Sequence, residues 1–343
     1  MPSPSSENKV SLQYSDVFNQ AEVLRLSGSF DKSIEYFKRC LAAAIQAGSK
    51  KEQMQSLIKL GILSWNVGLL GESATYYLSA SIIAHSLGLI KTEEDCKKAI
   101  QIYNLYNAAK DYRDKEGDFQ KSIDTFKKAI ILSRDINSPE HELKCLRQTS
   151  VNFFNLAEFQ EFHALNLEAL MIAQKINNWK DEGICLNNIG LYFWKIDNYS
   201  YALQHYEKAL EIAQKINNVE SEADILTNIS ICYADLGNFE KSIELLLKVL
   251  EMDRRMNLSK QIPLDLNNIG IAYRRKALLT ENDEDYIKAL RYFEDSLKLA
   301  RESLKGTEIQ IKTEIRTLHN IGSVYSLQNK NDKALIYFDE AYN

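Results

Sequence analysis

One segment of this sequence recurs at a spacing of forty residues. The decapeptide ALMIAQKINN covers residues 169–178, and the near copy ALEIAQKINN covers residues 209–218. The tetrapeptide NNIG occurs at 187–190 and again at 267–270, two periods later. Repeats of this size bury their apolar faces only against neighbouring copies, so the period predicts a solenoid rather than a domain built around one core.

Alignment at this period gives eight repeats, each anchored on a small residue of its first helix. The second helix carries a small residue followed, in most repeats, by an aromatic residue four positions later. The fourth repeat departs from this pattern and has Phe162 and Asn166 at the two positions. Small residues allow two helix axes to approach closely, and aromatic rings fill the space beside them. The anchors are Ala21, Gly61, Ala109, Ser150, Gly190, Ser230, Gly270 and Gly322.

Helix breakers stand between the apolar stretches. Asn177-Asn178 and Asn217-Asn218 are suited to helix C-caps, and Ser138-Pro139-Glu140 is a helix start. No segment has strand periodicity, so we predict an all-α fold, a right-handed α-solenoid of about eight helical hairpins. We expect a disordered tail over 1–10 and a solenoid over 11–343. Its repeats are predicted at 11–48, 52–88, 92–137, 139–178, 180–218, 220–257, 259–303 and 307–343, the last one truncated inside its second helix.

The order of small and aromatic residues in these columns resembles the tetratricopeptide repeat over about residues 11–343. The usual repeat has about 34 residues, so the forty-residue period is similar to the long-helix type. That type occurs in kinesin light chains, Leu-Gly-Asn division adaptors and bacterial peptide-sensing regulators. The resemblance implies a scaffold or adaptor that holds a protein or peptide segment in a concave groove.

A column of carboxamides two residues before the anchors is not explained by packing. Asparagine makes up 26 of the 343 residues, so eight positions should hold fewer than one, yet they hold six and a glutamine. At about 100° per residue the position lies opposite the apolar stripe, and asparagine is a poor helix former. We call Asn19, Asn107, Gln148, Asn188, Asn228, Asn268 and Asn320 the asparagine column; the remaining repeat has Lys59.

A carboxamide can pair with a peptide N–H and C=O together, so such a column could grip an extended backbone. The resemblance implies this role for these residues; the alternative is that they hydrogen-bond neighbouring helices. Side-chain selectivity would come from residues about six positions later, which we call the selectivity column. Its arginines could pair with acidic side chains and its aromatics could seat apolar ones, although core packing is an equal alternative for the aromatics. The selectivity column comprises Arg25, Trp65, Arg113, Phe154, Trp194, Arg274 and Arg275.

Other classes of function lack support in the sequence. The net charge of −5 gives no footprint for nucleic acid, and no apolar run approaches the roughly 20 residues of a membrane span. Five single cysteines and a polar N-terminus favour a cytoplasmic protein. The histidines are scattered and no nucleotide-binding or nucleophile motif occurs, so we expect no metal, no cofactor and no enzymatic activity. Without a deep core, we also expect no carboxylate with a strongly shifted pKa.

Two classes of function therefore remain open. The first is a protein- or peptide-binding scaffold or adaptor. The second is the N-terminal regulatory or sensor module of a longer signalling enzyme (a protease, kinase or cyclase) whose catalytic domain is not in this chain.

Overall fold

The structure, a computed structural model, describes residues 6–303 and 305–342. Over these residues the chain forms sixteen α-helices and no β-strand, which confirms the all-α fold class. The helices are α1 (Ser6–Leu26), α2 (Phe30–Gln46), α3 (Lys50–Val67), α4 (Leu70–Ser86), α5 (Ile90–Asp114), α6 (Phe119–Asp135), α7 (Pro139–Asn155), α8 (Phe159–Lys175), α9 (Trp179–Lys195), α10 (Tyr199–Lys215), α11 (Val219–Asp235), α12 (Phe239–Arg255), α13 (Ile262–Thr280), α14 (Asp283–Ser303), α15 (Glu308–Leu327) and α16 (Asn331–Tyr342).

Each odd-numbered helix except α9 packs against the even-numbered helix that follows it, giving the hairpins of an α-solenoid. Of the predicted N-terminal tail, residues 6–10 belong to α1, and residues 1–5 lie outside the described residues. The chain divides into two compact units between Tyr192 and Phe193, inside α9. We call them the N-terminal unit and the C-terminal unit.

Helices end at a residue with positive φ, and over much of the chain these residues are twenty positions apart. A left-handed residue just past the helix lets backbone N–H groups bond the last free carbonyls. Asn178 N, for example, donates to Ala173 O at 2.9 Å. The positive-φ residues at this interval are Gly28, Gly48, Gly68 and Gly88, and, after the longer α5, Gly117, Asn137, Ala157, Asn177, Asp197, Asn217, Gly237 and Asn257.

The Asn-Asn pairs serve two helices at once. Asn177 and Asn217 have φ values of 54° and 53° and close α8 and α10, so the predicted C-caps are confirmed. The second asparagine starts the next helix, because the side chain of Asn218 accepts a hydrogen bond from Ser221 N at 3.1 Å. Two adjacent residues thus fix the end of one helix and the start of the next.

The small anchor residues of the first helices lie directly against the aromatic rings of the second helices. A Cβ atom added at Gly270 would lie 2.5 Å from Cε1 of Phe293. At Gly322 it would lie 2.7 Å from Cε1 of Phe338. The predicted pairing of small and aromatic residues is therefore confirmed, and it sets the distance between the helices of a hairpin.

Serines of the second helices add a hydrogen bond at the same crossing. In each case the buried hydroxyl donates to the backbone carbonyl of the anchor residue on the first helix. Each bond satisfies a hydroxyl that would otherwise be buried without a partner. The bonds run from Ser33 to Ala21, from Ser73 to Gly61 and from Ser122 to Ala109, at 2.8, 2.7 and 2.7 Å.

The fourth repeat exchanges its large and small positions along α8. Phe162 is buried where other repeats have a small residue, and Asn166 is fully buried where they have a ring. Asn166 Nδ2 donates to Phe162 O at 2.7 Å, and its Oδ1 accepts from Asn188 Nδ2 at 2.9 Å. The apolar bulk has moved by one helical turn, and a hydrogen-bonded amide fills the vacated place.

We expect Gly270→Ala to lower the free energy of unfolding by about 1 to 3 kcal/mol, because the added methyl group overlaps the ring of Phe293. Urea unfolding followed by circular dichroism measures the effect. Gly71→Ala in the first turn of α4 is the matched control, since an added Cβ there has no neighbour within 4 Å. The control should be neutral or stabilising, because alanine is the better helix former.

We expect Ala157→Gly to raise the free energy of unfolding by roughly 0.5 to 1 kcal/mol. Ala157 has a φ of 60°, a conformation that glycine adopts without steric cost. Ala42→Gly, at an exposed position inside α2, is the reverse control and should destabilise by a similar amount. If Ala157→Gly and Ala42→Gly changed the free energy of unfolding equally in urea, the positive φ of Ala157 would be contradicted.

Candidate functional site

The asparagine column lies on the odd-numbered helices, and its side chains differ in exposure. Asn19 is exposed and Asn320 is buried, with an exposed fraction of 7%. The remaining members, Asn107, Gln148, Asn188, Asn228 and Asn268, are half-buried. The column is therefore neither a solvated face nor a buried core stripe.

Several members of the column make hydrogen bonds within the protein. Asn188 donates to Asn166, as described above, and Asn320 Nδ2 donates to Oδ1 of Asn267 at 3.0 Å. Gln148 Oε1 accepts from the guanidinium of Arg113 at 2.8 Å. These contacts match the alternative in which column side chains bond to neighbouring helices.

Asn19, Asn107 and Asn268 keep their hydrogen-bonding groups available. Among the residues that the structure describes, no hydrogen bond engages the carboxamides of Asn19, Asn107 or Asn268. Asn19 also lines an open cavity of about 360 Å³ between α1 and α3, together with Tyr14 and Glu52. The side chains of Asn107 and Asn268 are half-buried without an internal partner, which is costly unless water or a ligand binds them.

In the N-terminal unit, the first two members of the selectivity column bind the start of α7. Trp65 is fully buried, and its Nε1 donates to the backbone oxygen of Glu140 at 3.1 Å. The Arg25 guanidinium lies 3.8 Å from the Glu140 carboxylate and 2.9 Å from that of Glu22. Lys144 Nζ donates to the backbone oxygen of Trp65 at 2.6 Å. Trp65 is thus a core residue that joins α3 to α7, and it presents no surface to a ligand.

Two further members of the selectivity column in this unit are half-buried. Arg113 Nε donates to Asp114 at 2.6 Å, in addition to its bond with Gln148. The ring of Phe154 packs on the rings of Phe159 and Phe162, with centroids 5.6 and 5.1 Å away. Both side chains are therefore held in place by neighbours in the same unit.

In the C-terminal unit, one carboxylate joins two selectivity residues. Trp194 Nε1 donates to Oδ2 of Asp235 at 2.6 Å, and the Arg275 guanidinium donates to Oδ1 at 2.7 Å. Asp235 was not among the predicted site residues. Its sequence signal is its position forty residues before Arg275, at the equivalent place of the preceding repeat. The Asp235 carboxylate therefore fixes both side chains across successive first helices.

Arg274 differs from the other half-buried arginines because it has no acidic partner. No carboxylate of the described residues lies within ion-pair distance of its guanidinium, whereas Arg25, Arg113, Arg147 and Arg275 each have one. Burial, followed by the charge of the neighbouring Arg275, lowers the pKa of Arg274 from its ordinary value. Its guanidinium is thus partly desolvated and uncompensated.

A pair of buried carboxyl groups lies at the junction of α12 and α13. Asp253 and Asp265 have exposed fractions of 4% and 6%, and Oδ1 of Asp253 and Oδ2 of Asp265 lack hydrogen-bonding partners. Burial, followed by the charge of Asp253, raises the pKa of Asp265 to about 8. Asp224 of α11 raises it further, and Arg254 lowers it. The expectation that no carboxylate has a strongly shifted pKa is therefore wrong, because the junction of hairpins buries these groups fully.

Metal-binding and membrane-spanning features are absent from the described part of the chain. No group of three or more histidine, cysteine or acidic side chains there could hold a metal ion. No helix of that part is both long and apolar enough to cross a membrane.

His141 is fully buried, and its Nδ1 is hydrogen-bonded to Ser138 Oγ at 2.6 Å. Desolvation lowers the pKa of this imidazole to about 3.

Comparisons with known proteins agree with this architecture. The family model described as tetratricopeptide repeat matches residues 181–255 and 268–343. No curated protein matches the sequence. Among solved structures, a signal transduction ATPase with a tetratricopeptide repeat sensor, from Pyrococcus horikoshii, is 16% identical with a TM-score of 0.59. The match covers 93% of this chain and 53% of the ATPase.

Two other similar structures are peptide or factor complexes. A Rap protein complexed with competence and sporulation factor is 14% identical, with 97% of each chain covered and a TM-score of 0.52. NprR in complex with its cognate peptide NprX is 16% identical, with 83% of this chain and 77% of NprR covered and a TM-score of 0.53. At these identities the likeness concerns the fold. Together with the family match, it confirms the resemblance to the tetratricopeptide repeat, over residues 181–255 and 268–343, and the α-solenoid fold.

We expect the stability of the C-terminal unit to fall as the pH rises from about 4 to about 8. The folded chain holds the Asp265 proton up to about pH 8, whereas an unfolded aspartate releases it near pH 4. Because the folded state binds the extra proton over this range, raising the pH favours unfolding. Asp265→Asn should remove this contribution and stabilise the unit at pH 8 by roughly 1 to 3 kcal/mol.

Urea unfolding of both proteins between pH 5 and 8.5 tests this expectation. Asp295→Asn, which changes an exposed carboxylate on α14, is the control and should keep the wild-type pH dependence. An Asp265→Asn protein whose stability keeps the wild-type pH dependence would contradict the retention of a proton by Asp265.

Proposed function

We propose that this chain is a protein- or peptide-binding scaffold rather than an enzyme, and that it holds an extended segment in a concave groove lined by the asparagine column. The observation that carries the proposal is the half-buried state of Asn107 and Asn268, whose carboxamides lack hydrogen-bonding partners among the described residues. A peptide backbone offers the N–H and C=O groups that satisfy a carboxamide. Binding of this kind is independent of the ligand's side chains.

The members of the column contribute unequally in this proposal. Asn320 and Gln148 already bond to Asn267 and Arg113, so their roles are mainly internal. Asn188 donates one N–H to Asn166, and its Oδ1 is available to a ligand. Asn107 and Asn268, whose carboxamides have no hydrogen bond among the described residues, are therefore the pair to test first.

The similar structures support a peptide as the ligand. The Rap structure contains competence and sporulation factor, and NprR is bound to its cognate peptide. Both share the fold of this chain over most of its length, so an extended peptide is the ligand class that this architecture suits best.

A second candidate is the sensor module of a longer signalling enzyme. It is favoured by the similarity to the Pyrococcus horikoshii ATPase, of which this chain covers 53% and which carries a tetratricopeptide repeat sensor. Sequencing of the full transcript tests this candidate. An open reading frame that continues into a catalytic domain would support it, and a stop codon directly after Asn343 would contradict it.

We expect the double substitution Asn107→Ala with Asn268→Ala to weaken peptide binding by about thirtyfold, since each lost bond contributes on the order of 1 kcal/mol. Peptides selected on the full chain from a displayed library of random 15-residue sequences serve as probes, with fluorescence anisotropy as the affinity measurement. Thermal stability should be unchanged or slightly higher, because alanine is the better helix former.

Asn104→Ala is the matched control, since Asn104 is exposed on α5 and lies outside the column. It should leave the affinity unchanged. A double variant that binds the peptides normally but melts several degrees lower would show that the two asparagines are structural.

A further inference from the structure

Arg274 occupies an environment that a guanidinium tolerates poorly without an anion. It is half-buried on α13, and its burial and the adjacent Arg275 both disfavour the charged form. Arginine cannot relieve this cost by losing its proton at any physiological pH. The other half-buried arginines of the described residues, Arg25, Arg113, Arg147 and Arg275, are each paired with a carboxylate.

The acidic partner of the neighbouring Arg275 does not serve Arg274. Asp235 accepts from Arg275 through Oδ1 and from Trp194 through Oδ2, and it makes no ion pair with Arg274. The Arg274 guanidinium therefore keeps an uncompensated positive charge. The phenol of Tyr286 on α14 interacts electrostatically with Arg274, but it is a neutral group at physiological pH.

We infer that Arg274 binds a carboxylate of the ligand, so that the bound peptide carries an aspartate, a glutamate or its own C-terminus at this point. The inference rests on the proposed peptide-binding function and specifies the ligand's chemistry. A carboxylate matches the planar fork of a guanidinium with two parallel hydrogen bonds. One carboxylate also balances the single uncompensated charge.

Arg274 lies on the same helix as Asn268, which the proposed peptide would contact. The two residues are six positions apart on α13, about 9 Å along the helix axis and about 120° around it. A peptide segment of about three extended residues spans the axial part of that separation. The carboxylate is therefore expected within a few residues of the backbone group bound by Asn268.

Parallel selections from the displayed library, on the wild-type full chain and on Arg274→Gln, test the inference. Peptides selected by the wild type should be enriched in acidic residues, and those selected by Arg274→Gln should lose this enrichment. For one wild-type peptide, neutralising its acidic residue or substituting Arg274 should each weaken binding at least tenfold. Making both changes should weaken it little further. C-terminal amidation of the peptide distinguishes a terminal carboxylate from a side chain.

Two further variants separate ligand binding from structural effects. Arg291→Gln removes an exposed arginine of α14 and should leave both affinity and acidic preference unchanged. Without ligand, Arg274→Gln should melt at or above the wild-type temperature, because it removes an unpaired desolvated charge. Arg274→Lys keeps the positive charge but lacks the two parallel N–H groups of the guanidinium. Its affinity for the peptide should therefore lie between those of the wild type and Arg274→Gln.

The outcomes are distinguishable. If peptides are enriched without acidic preference, or if Arg291→Gln has the same effect as Arg274→Gln, the inference is wrong while the proposed function stands. A large drop in the melting temperature of Arg274→Gln would likewise assign Arg274 to the fold. If neither protein enriches any peptide, the proposed function itself fails, and this inference fails with it.

Discussion

Within each hairpin, two helices approach only as closely as the residue at their crossing allows. At Gly270 the ring of Phe293 occupies the space where any side chain would stand. At three other crossings a serine hydroxyl bonds the carbonyl of the anchor residue and holds the helices at that distance. This contact fixes the two helices of a hairpin relative to each other, and the next hairpin packs on the surface that they form. Repetition of the crossing leaves the opposite face of each first helix at the edge of the core, and the asparagine column stands there, half-buried in most repeats.

Features that depend on residues close in the chain were predictable from the sequence. Helix ends follow from glycine and asparagine at positions that need positive φ, so Asn177 and Asn217 could be assigned directly. The pairing of anchors with rings follows from offsets within one repeat, and the all-α fold follows from both. The anchors Gly61 and Ala109 are 48 positions apart in the sequence, and the extra length appears in α5, which has 25 residues.

Features that depend on contacts between distant repeats were not predictable. Trp65 was assigned to ligand selectivity, with core packing as an equal alternative, and it is buried against the start of α7, 75 positions away. Asp235 bridges Trp194, which lies 41 residues before it in the chain, and Arg275, which lies 40 residues after it. Asp253 and Asp265 look like ordinary helix-surface carboxylates, and only the packing of α12 on α13 buries them. No local pattern specifies how tightly successive hairpins stack.

Because the large and small positions of the fourth repeat are exchanged, the fold depends on the order of the repeats. Asn166 lies fully buried in place of a ring, and its oxygen accepts a hydrogen bond from Asn188 of the following repeat. A repeat with lysine at that position, as the second one has Lys59, would strand the Asn166 oxygen or bury a charge beside it. The fourth and fifth repeats are therefore a matched pair rather than interchangeable copies. A shuffled or shortened version of this array would have to move them together.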